Sequence, residues 1–404
     1  MFHTDFMPYS KRQTFFIIFS LWLLVFAASS QIMIIAPILP RISEQLNITE
    51  ALLGTLVTAY AVMVGVCALI TGPISDKIGR RKILLIGTGL MTITLFLHGL
   101  ITNYISFLVV RGLAGAAGGI LSGSSVAYVG DYFPYQRRGW ANGWVMSGIA
   151  MGQIMGIPIG TILAEYMGFK APFLAFAFLM AVTFIMILLT VPQPEVKLQK
   201  SRLTLRSALQ KYFLMLQKPS ILAAGTSYFL MFLSISVYIV FLPSWLESTF
   251  DVSGNAIASL FLVGGIANVI AGPQAGKLSD LWGRKSIIIF SCTGLALMMI
   301  VTVPLVRSFW LAYPLFFITM MLMSMRISPF QALSTELVNA RKRGTLMSLL
   351  VAIGQVGYGL GGTIAGPAYV QSGYFSNTVI GAVMILAMAF IVWRFLPEPE
   401  LKKE

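Results

Sequence analysis

Two arginines stand inside long apolar stretches: Arg111, in Arg111-Gly112-Leu113-Ala114-Gly115-Ala116-Ala117-Gly118-Gly119, and Arg326, in Met325-Arg326-Ile327-Ser328-Pro329. A guanidinium in such surroundings suits one chemistry: its planar fork of donors grips carboxylate or phosphate oxygens in pairs. The sequence offers these arginines no obvious counter-ion. Of the 14 acids, Asp5, Glu44, Glu50, Glu195, Glu247, Asp251, Glu398, Glu400 and Glu404 lie in loops, tails or helix ends. Asp76, Asp131, Asp280 and Glu336 flank basic turns, and Glu165 closes a helix. None falls mid-stretch. Gln31, Tyr60, Tyr238, Gln331, Gln355 and Tyr358 are the polar residues expected beside the arginines in a cavity, with Gln153, Tyr228 and Asn268 as weaker candidates. Catalysis would need a nucleophile with a base, or metal ligands. Two histidines without a paired acid supply neither, although His98 could titrate. Cys67 and Cys292 lie in apolar runs with no metal-type spacing. The expectation is no catalytic residue, no metal and no cofactor.

The remaining charges are organised as a repeat. Gly72-Pro73-Ile74-Ser75-Asp76-Lys77-Ile78-Gly79-Arg80-Arg81-Lys82 returns as Gly276-Lys277-Leu278-Ser279-Asp280-Leu281-Trp282-Gly283-Arg284-Lys285, at a constant offset of 204. The segment from Asp131 to Arg138-Gly139 is answered by Glu336 to Arg343-Gly344 at an offset of 205. The chain therefore reads as two related halves. Counted back by 205, Arg326 falls on Leu121, so it breaks the repeat and becomes a candidate for substrate choice. A glycine stripe, Gly148, Gly152, Gly156 and Gly160, lets a second helix approach closely, and Pro158 bends it. Its later counterpart shares Gly160-Thr161-Ile162 as Gly362-Thr363-Ile364.

The elements that carry these residues must be membrane helices. The chain is 57% hydrophobic and 10% charged, with a mean hydropathy of +0.84. Soluble domains carry roughly 25% charged residues. Continuous apolar runs of about 20 residues, without alternation, call for helices rather than a barrel. The spacing predicts twelve, at 14–38, 51–73, 82–101, 105–130, 140–164, 171–192, 220–246, 254–276, 286–305, 309–334, 345–370 and 375–396. The expected architecture is an all-α membrane protein of two pseudo-symmetric six-helix bundles, 1–192 and 220–404, joined by a basic linker at 193–219. Part of that linker, Ser201 to Lys218, could lie as a helix on lipid headgroups. The net charge of +14 gathers in the turns on one side, which orients the chain with both termini in the cytoplasm. It is an orientation signal and not a nucleic-acid site.

The two charged turns, Arg111-Gly112 and the stripe Gly152-x-x-x-Gly156-Ile157-Pro158-x-Gly160 together resemble the major facilitator superfamily over almost the whole chain, nearest in pattern to its twelve-helix drug and metabolite exporters. Ile157 intrudes where that family's helix-5 motif often has proline directly after glycine. The resemblance implies an alternating-access carrier with a site near the membrane midplane. It implies that Gly72, Asp76, Gly79, Arg80, Asp131 and Arg138, with Gly276, Asp280, Gly283, Arg284, Glu336 and Arg343, control the cytoplasmic side. Within that set, Arg80 pairs with Asp131 and Arg284 with Glu336. Exporters of this branch that use protons commonly carry an acid in helix 1, where this chain has Gln31. The cavity is positive, which favours an anionic or zwitterionic organic substrate over a cationic drug. The expected protein is a monomer in a bacterial plasma membrane, in contact with lipid, with protons as a candidate coupling ion. The other readings are proton-linked uptake of an organic anion and a transporter-like receptor.

Overall fold

The computed structural model describes residues 11–194, 205–339 and 343–397. The centre of the expected linker, and the side chains of Asp76 and Asp280 inside their helices, lie outside the described set. Every regular element among the described residues is helical. The first half runs through α1 (Lys11–Met33), α2 (Ile35–Leu46), α3 (Glu50–Ile78), α4 (Arg80–Leu97), α5 (Tyr104–Leu121), α6 (Ser124–Tyr132), α7 (Tyr135–Met151), α8 (Ile157–Met167) and α9 (Lys170–Thr190). A short α10 (Leu205–Leu216) falls within the stretch expected to form a surface helix. The second half follows as α11 (Pro219–Ile239), α12 (Leu242–Phe250), α13 (Gly254–Trp282), α14 (Arg284–Leu305), α15 (Phe309–Met325), α16 (Ile327–Glu336) and α17 (Arg343–Phe395).

Eleven helical stretches are long and apolar enough to cross a bilayer. One of them, α17, has 53 residues, where a single span needs about 20. Gly373, at φ 70° and ψ 178°, interrupts it. Asn377 Nδ2 donates to the Ala365 carbonyl at 3.1 Å, from 12 positions further along the chain. In a straight helix those residues would be about 18 Å apart, so the chain reverses at Gly373 and α17 is two spans. The expected twelve are present. Large apolar side chains such as Leu189 and Trp310, 76% and 77% exposed, cover the outside, as a lipid-facing surface requires. Buried hydroxyls bond their own helices: Ser30 Oγ donates to the Phe26 carbonyl at 2.7 Å and Thr88 Oγ1 to Leu84 at 2.7 Å.

The expected boundaries need correction at the breaks. The first helix does not end near residue 38; it bends at Ile34 and runs on as α2 to Leu46. Pro37 is tolerated there because the first N–H groups of a helix have no intrahelical partner. The stretch from Gly72 to Lys82 is not a turn throughout. It is helical to Ile78, and the chain turns at Gly79 alone, φ 98°. The second copy does the same at Gly283, φ 90°. Only glycine holds such a φ without strain. Further interruptions fall at Gly123 (φ 72°), at a single π turn over Gly152–Gly156 and at Arg326.

Within the first half, α1 packs on α7 and α9, α4 on α9 and α5, and α3 on α5; within the second, α11 and α14 pack on α17, and α13 on α15. The halves meet through α3 with α17, α8 with α13 and α2 with α12. The α3–α17 contact is backbone to backbone. A Cβ on Gly366 would fall 2.6 Å from the Ala51 carbonyl oxygen, and Gly54 lies against Gly362. Thr58 Oγ1 sits 2.5 Å from the Gly359 carbonyl and 2.6 Å from Thr363 Oγ1. These residues lie towards the Glu50 end of α3, away from the charged turn at Gly79. The conformer is closed on the face opposite the charged turns.

Candidate functional site

Three helices of the first half converge on Arg111. α5 carries the arginine, α1 brings Gln31 and α3 brings Tyr60; their exposures are 1%, 0% and 3%. The small residues of α5 make this possible: a Cβ on Gly119 would fall 2.7 Å from the Val64 carbonyl oxygen of α3, and Gly115 lies on the Tyr60 backbone. Gln31 Nε2 donates to Tyr60 Oη at 2.8 Å. The Arg111 guanidinium stacks over the Tyr60 ring, 4.3 Å from its centroid. Its hydrogen bonds are long, 3.4 Å from Nη1 to Gln31 Oε1 and 3.5 Å from Nε to the Leu56 carbonyl. Normal bonds of this kind run about 2.7–3.2 Å, so most of its donor capacity is unspent. No ion pair of Arg111 occurs among the described residues. Tyr358 of α17 comes within electrostatic range from the other half. Gln355, one turn away, abuts α3: its Cβ would lie 3.5 Å from a Cβ on Gly65.

The second-half candidates separate. Arg326 is fully buried at the α15–α16 break, with Nη1 donating to the Leu322 carbonyl of its own helix at 3.4 Å. Its Nε and Nη2 have no hydrogen-bond partner among the described residues. The group within electrostatic range is the Cys292 thiol of α14. The repeat explains this placement. In the first half, Leu121 packs on Gly87 of α4, leaving 2.6 Å for a Cβ there. Counted forward by 205, Leu121 is Arg326 and Gly87 is Cys292. Arg326 therefore occupies an interior helix contact of its own bundle and does not face the other half, which corrects its expected place in a shared cavity. Tyr238 is likewise a core residue. Its hydroxyl meets Thr302 Oγ1 at 3.0 Å, and Tyr374 Oη donates to its carbonyl at 2.6 Å. Gln331 lies on the exposed side of α16, near the Tyr228 hydroxyl.

The charged turns hold the expected partners. Arg80 Nε donates to Asp131 Oδ2 at 2.6 Å and Nη1 to Ser75 Oγ at 2.8 Å, and Arg284 pairs with Glu336. Each pair lies within one half, so it braces a bundle in this conformer and does not bridge the two. Arg138 Nε donates to the Phe133 carbonyl at 3.0 Å and Arg343 Nε to Thr335 at 3.1 Å, satisfying free carbonyls where α6 and α16 end. Gly276 faces Ser328 of α16, and Gly72 lies within α3. In the helix-5 stripe, Gly152 and Gly156 pack on Ser30 and Gly160 on Ile34, so the stripe seats α8 and the π turn against α1. Pro158 follows that turn after Ile157.

One contact between the halves joins two of the weaker sequence candidates; a second between the halves and a third within the first half are pairings that the sequence did not single out. Asn268 Nδ2 donates to Gln153 Oε1 at 3.2 Å, at the π turn. Thr58 reaches Gly359 across 301 positions. Arg41 pairs with Glu165 across 124. Glycine spacing marks the neighbourhood of the first two; no local signal joins Arg41 to Glu165.

Twelve spans in two repeated bundles with paired charged turns fit a membrane carrier. The chain belongs to the Major Facilitator Superfamily, whose model matches it twice, over residues 21–227 and 224–404. It is a multi-pass membrane transporter and not an enzyme. It is 24% identical over 371 residues to the MFS-type transporter YceJ of Bacillus subtilis (strain 168), covering 91% of this chain and 93% of that one. It is 28% identical over 313 residues to the multidrug resistance protein MdtG of Proteus mirabilis (strain HI4320), covering 74% and 75%. Among solved structures, a D-xylose–proton symporter superposes with a TM-score of 0.78 at 20% identity, covering 98% of this chain and 100% of the other.

Proposed function

We propose that the protein exports a small anionic or zwitterionic organic molecule by alternating access, with Arg111 as the group that receives the substrate's negative charge. The observation that carries this reading is the Arg111 guanidinium: fully buried, under-bonded and without an acid partner among the described residues, in reach of Tyr358 from the other half. A charge held that way inside a membrane is costly, and a substrate carboxylate or phosphate would complete its bonds. Gln31, Tyr60, Gln355 and Tyr358 supply hydrogen bonds and aromatic surface around it, and Gln331 lines the second half. Export is supported by the helix-5 stripe and by similarity to a protein named for multidrug resistance.

In this reading the basic face is cytoplasmic, both termini lie inside a bacterial plasma membrane, and the conformer closed on the opposite face is the inward-facing one. The bundles are 1–192 and 220–404, with 193–219 as linker, and the carrier works as a monomer. Arg80–Asp131 and Arg284–Glu336 brace each bundle while it rocks. Half-solvated pairs of this kind are each worth about 1 kcal/mol.

The test is flux in proteoliposomes under an imposed pH gradient, with a panel of organic anions and cationic dyes. Anion flux that falls at least about 10-fold in Arg111→Ala is the expected result. Dye flux that ignores Arg111 would sink the proposal.

A further inference from the structure

The basic linker ends in a helix that the transport reading leaves unused. α10 breaks from α11 at Lys218, whose φ of −80° and ψ of 124° are extended. Its inner face is formed by Tyr212 and Met215, each 8% exposed, with Leu216 beside them. Tyr212 Oη comes within 3.5 Å of the Leu69 carbonyl of α3, and Leu216 Cδ2 lies 3.8 Å from the Cβ position of Gly225 in α11. α10 also packs on α17, so it touches both halves at once. These contacts set its level. Leu69 is in the last turn of the apolar stretch Glu50–Thr71, and Gly225 is in the second turn of the stretch that opens at Pro219. α10 therefore lies where spans end, on the side of the charged turns.

The outer face of α10 does not suit water. Phe213 and Leu214 are 64% and 53% exposed, between exposed Gln210 and Gln217. Leu222, in the first turn of α11, is 54% exposed as well, so the lipid-facing wall begins beside this helix. The linker that carries the apolar pair is basic. Between 193 and 219 the chain has six cations, Lys197, Lys200, Arg202, Arg206, Lys211 and Lys218, against one acid, Glu195. An apolar helix face in basic surroundings suits the boundary between acyl chains and anionic headgroups.

We propose that α10 is a docking surface for anionic phospholipid headgroups of the leaflet on the charged-turn side. Phe213 and Leu214 enter the boundary between headgroups and acyl chains, and the positive charge of the linker gathers the phosphates above it. A soluble acidic partner would leave the apolar pair uncovered. Neutral lipid would cover the pair and leave the excess of cations uncompensated. Anionic lipid answers both features at the level where the helix sits. Because α10 touches α3, α11 and α17, lipid held there bears on both halves of the carrier.

The experiment reads lipid contact and needs no substrate, so it stands or falls independently of the anion-export reading. Gln210→Cys and Gln217→Cys, which leave the apolar pair intact, each carry a bimane label in the full chain in nanodiscs. Cys67→Ser is the background, and Cys292, fully buried, stays. The discs hold phosphatidylcholine and phosphatidylglycerol in one fixed ratio, with a nitroxide at the top of the acyl chain on one lipid or on the other. Spin-labelled phosphatidylglycerol is expected to quench more than spin-labelled phosphatidylcholine at both positions. The excess should fade when added salt shortens the Debye length from about 14 Å to about 4 Å. At low salt it should also shrink in the double variant Lys211→Gln and Lys218→Gln, each cation contributing about 5-fold in binding, the equivalent of roughly 1 kcal/mol. Equal quenching by the two lipids would overturn the proposal. So would quenching by aqueous iodide alone, which would make α10 a solvated linker. Shielding from both quenchers would do the same, placing a protein partner or a second copy on this face.

Discussion

Arg111 and Arg326 look alike in sequence, and their surroundings separate them. Arg111 keeps an aromatic face and two long bonds, and lies where the second half can reach it through Tyr358. Arg111→Ala should cut kcat/KM for an anionic substrate about 10- to 150-fold, the equivalent of one hydrogen bond to a charged group. Arg111→Lys should recover part of this, since the charge stays but the fork is lost. Arg326 is a different case. It stands where the first half has Leu121, with two nitrogens unpartnered. Replacing a buried, unsatisfied charge by an apolar group of similar reach is often neutral or stabilising. Arg326→Leu should therefore raise the midpoint of thermal unfolding in detergent and leave KM unchanged. A raised KM would return Arg326 to the substrate path. The sequence showed that both charges were unusual. It could not show which way each pointed, because a lipid-embedded bundle is apolar on both its inner and outer sides.

At the scale of elements, the reversals at Gly79 and Gly283 follow from φ values of 98° and 90°. With ψ of 148° and 140° as well, a side chain there costs roughly 1–3 kcal/mol. Gly79→Ala and Gly283→Ala should each lower the unfolding midpoint, and the double variant should lower it by the sum, since the two turns belong to different bundles. Markedly more than the sum would mean that the turns communicate. The repeat made both turns visible as motifs. It left open where the helices stop, because a stretch with Gly, Pro and four cations reads as a loop although its backbone bonds are kept to Ile78. The π turn at Gly152–Gly156 was hidden for a similar reason: a glycine stripe signals close packing, and not an extra residue in the helical turn.

For the whole molecule, closure on the opposite face depends on α3 and the first span of α17 approaching without side chains between them. Gly54→Leu would wedge Gly362 away. That variant should favour the conformer open on that face, read as faster labelling of Thr58→Cys by a membrane-impermeant maleimide added there. Unchanged labelling would mean that this contact does not set the closed state.

The sequence alone determined the number of spans and the two-fold repeat, while the partners Arg80–Asp131 and Arg284–Glu336 came with its resemblance to the superfamily. The first two rest on local hydropathy and on charges that recur at one offset, and the bilayer restricts the options to helices of about one length. The tertiary structure decided the direction of Arg326, the core role of Tyr238, the α3–α17 seam and the Arg41–Glu165 pair. These join residues up to 305 positions apart, and they depend on how helices with apolar surfaces all round turn against one another. In lipid that choice is made by close packing and a few polar contacts, not by a hydrophobic stripe that a sequence could display.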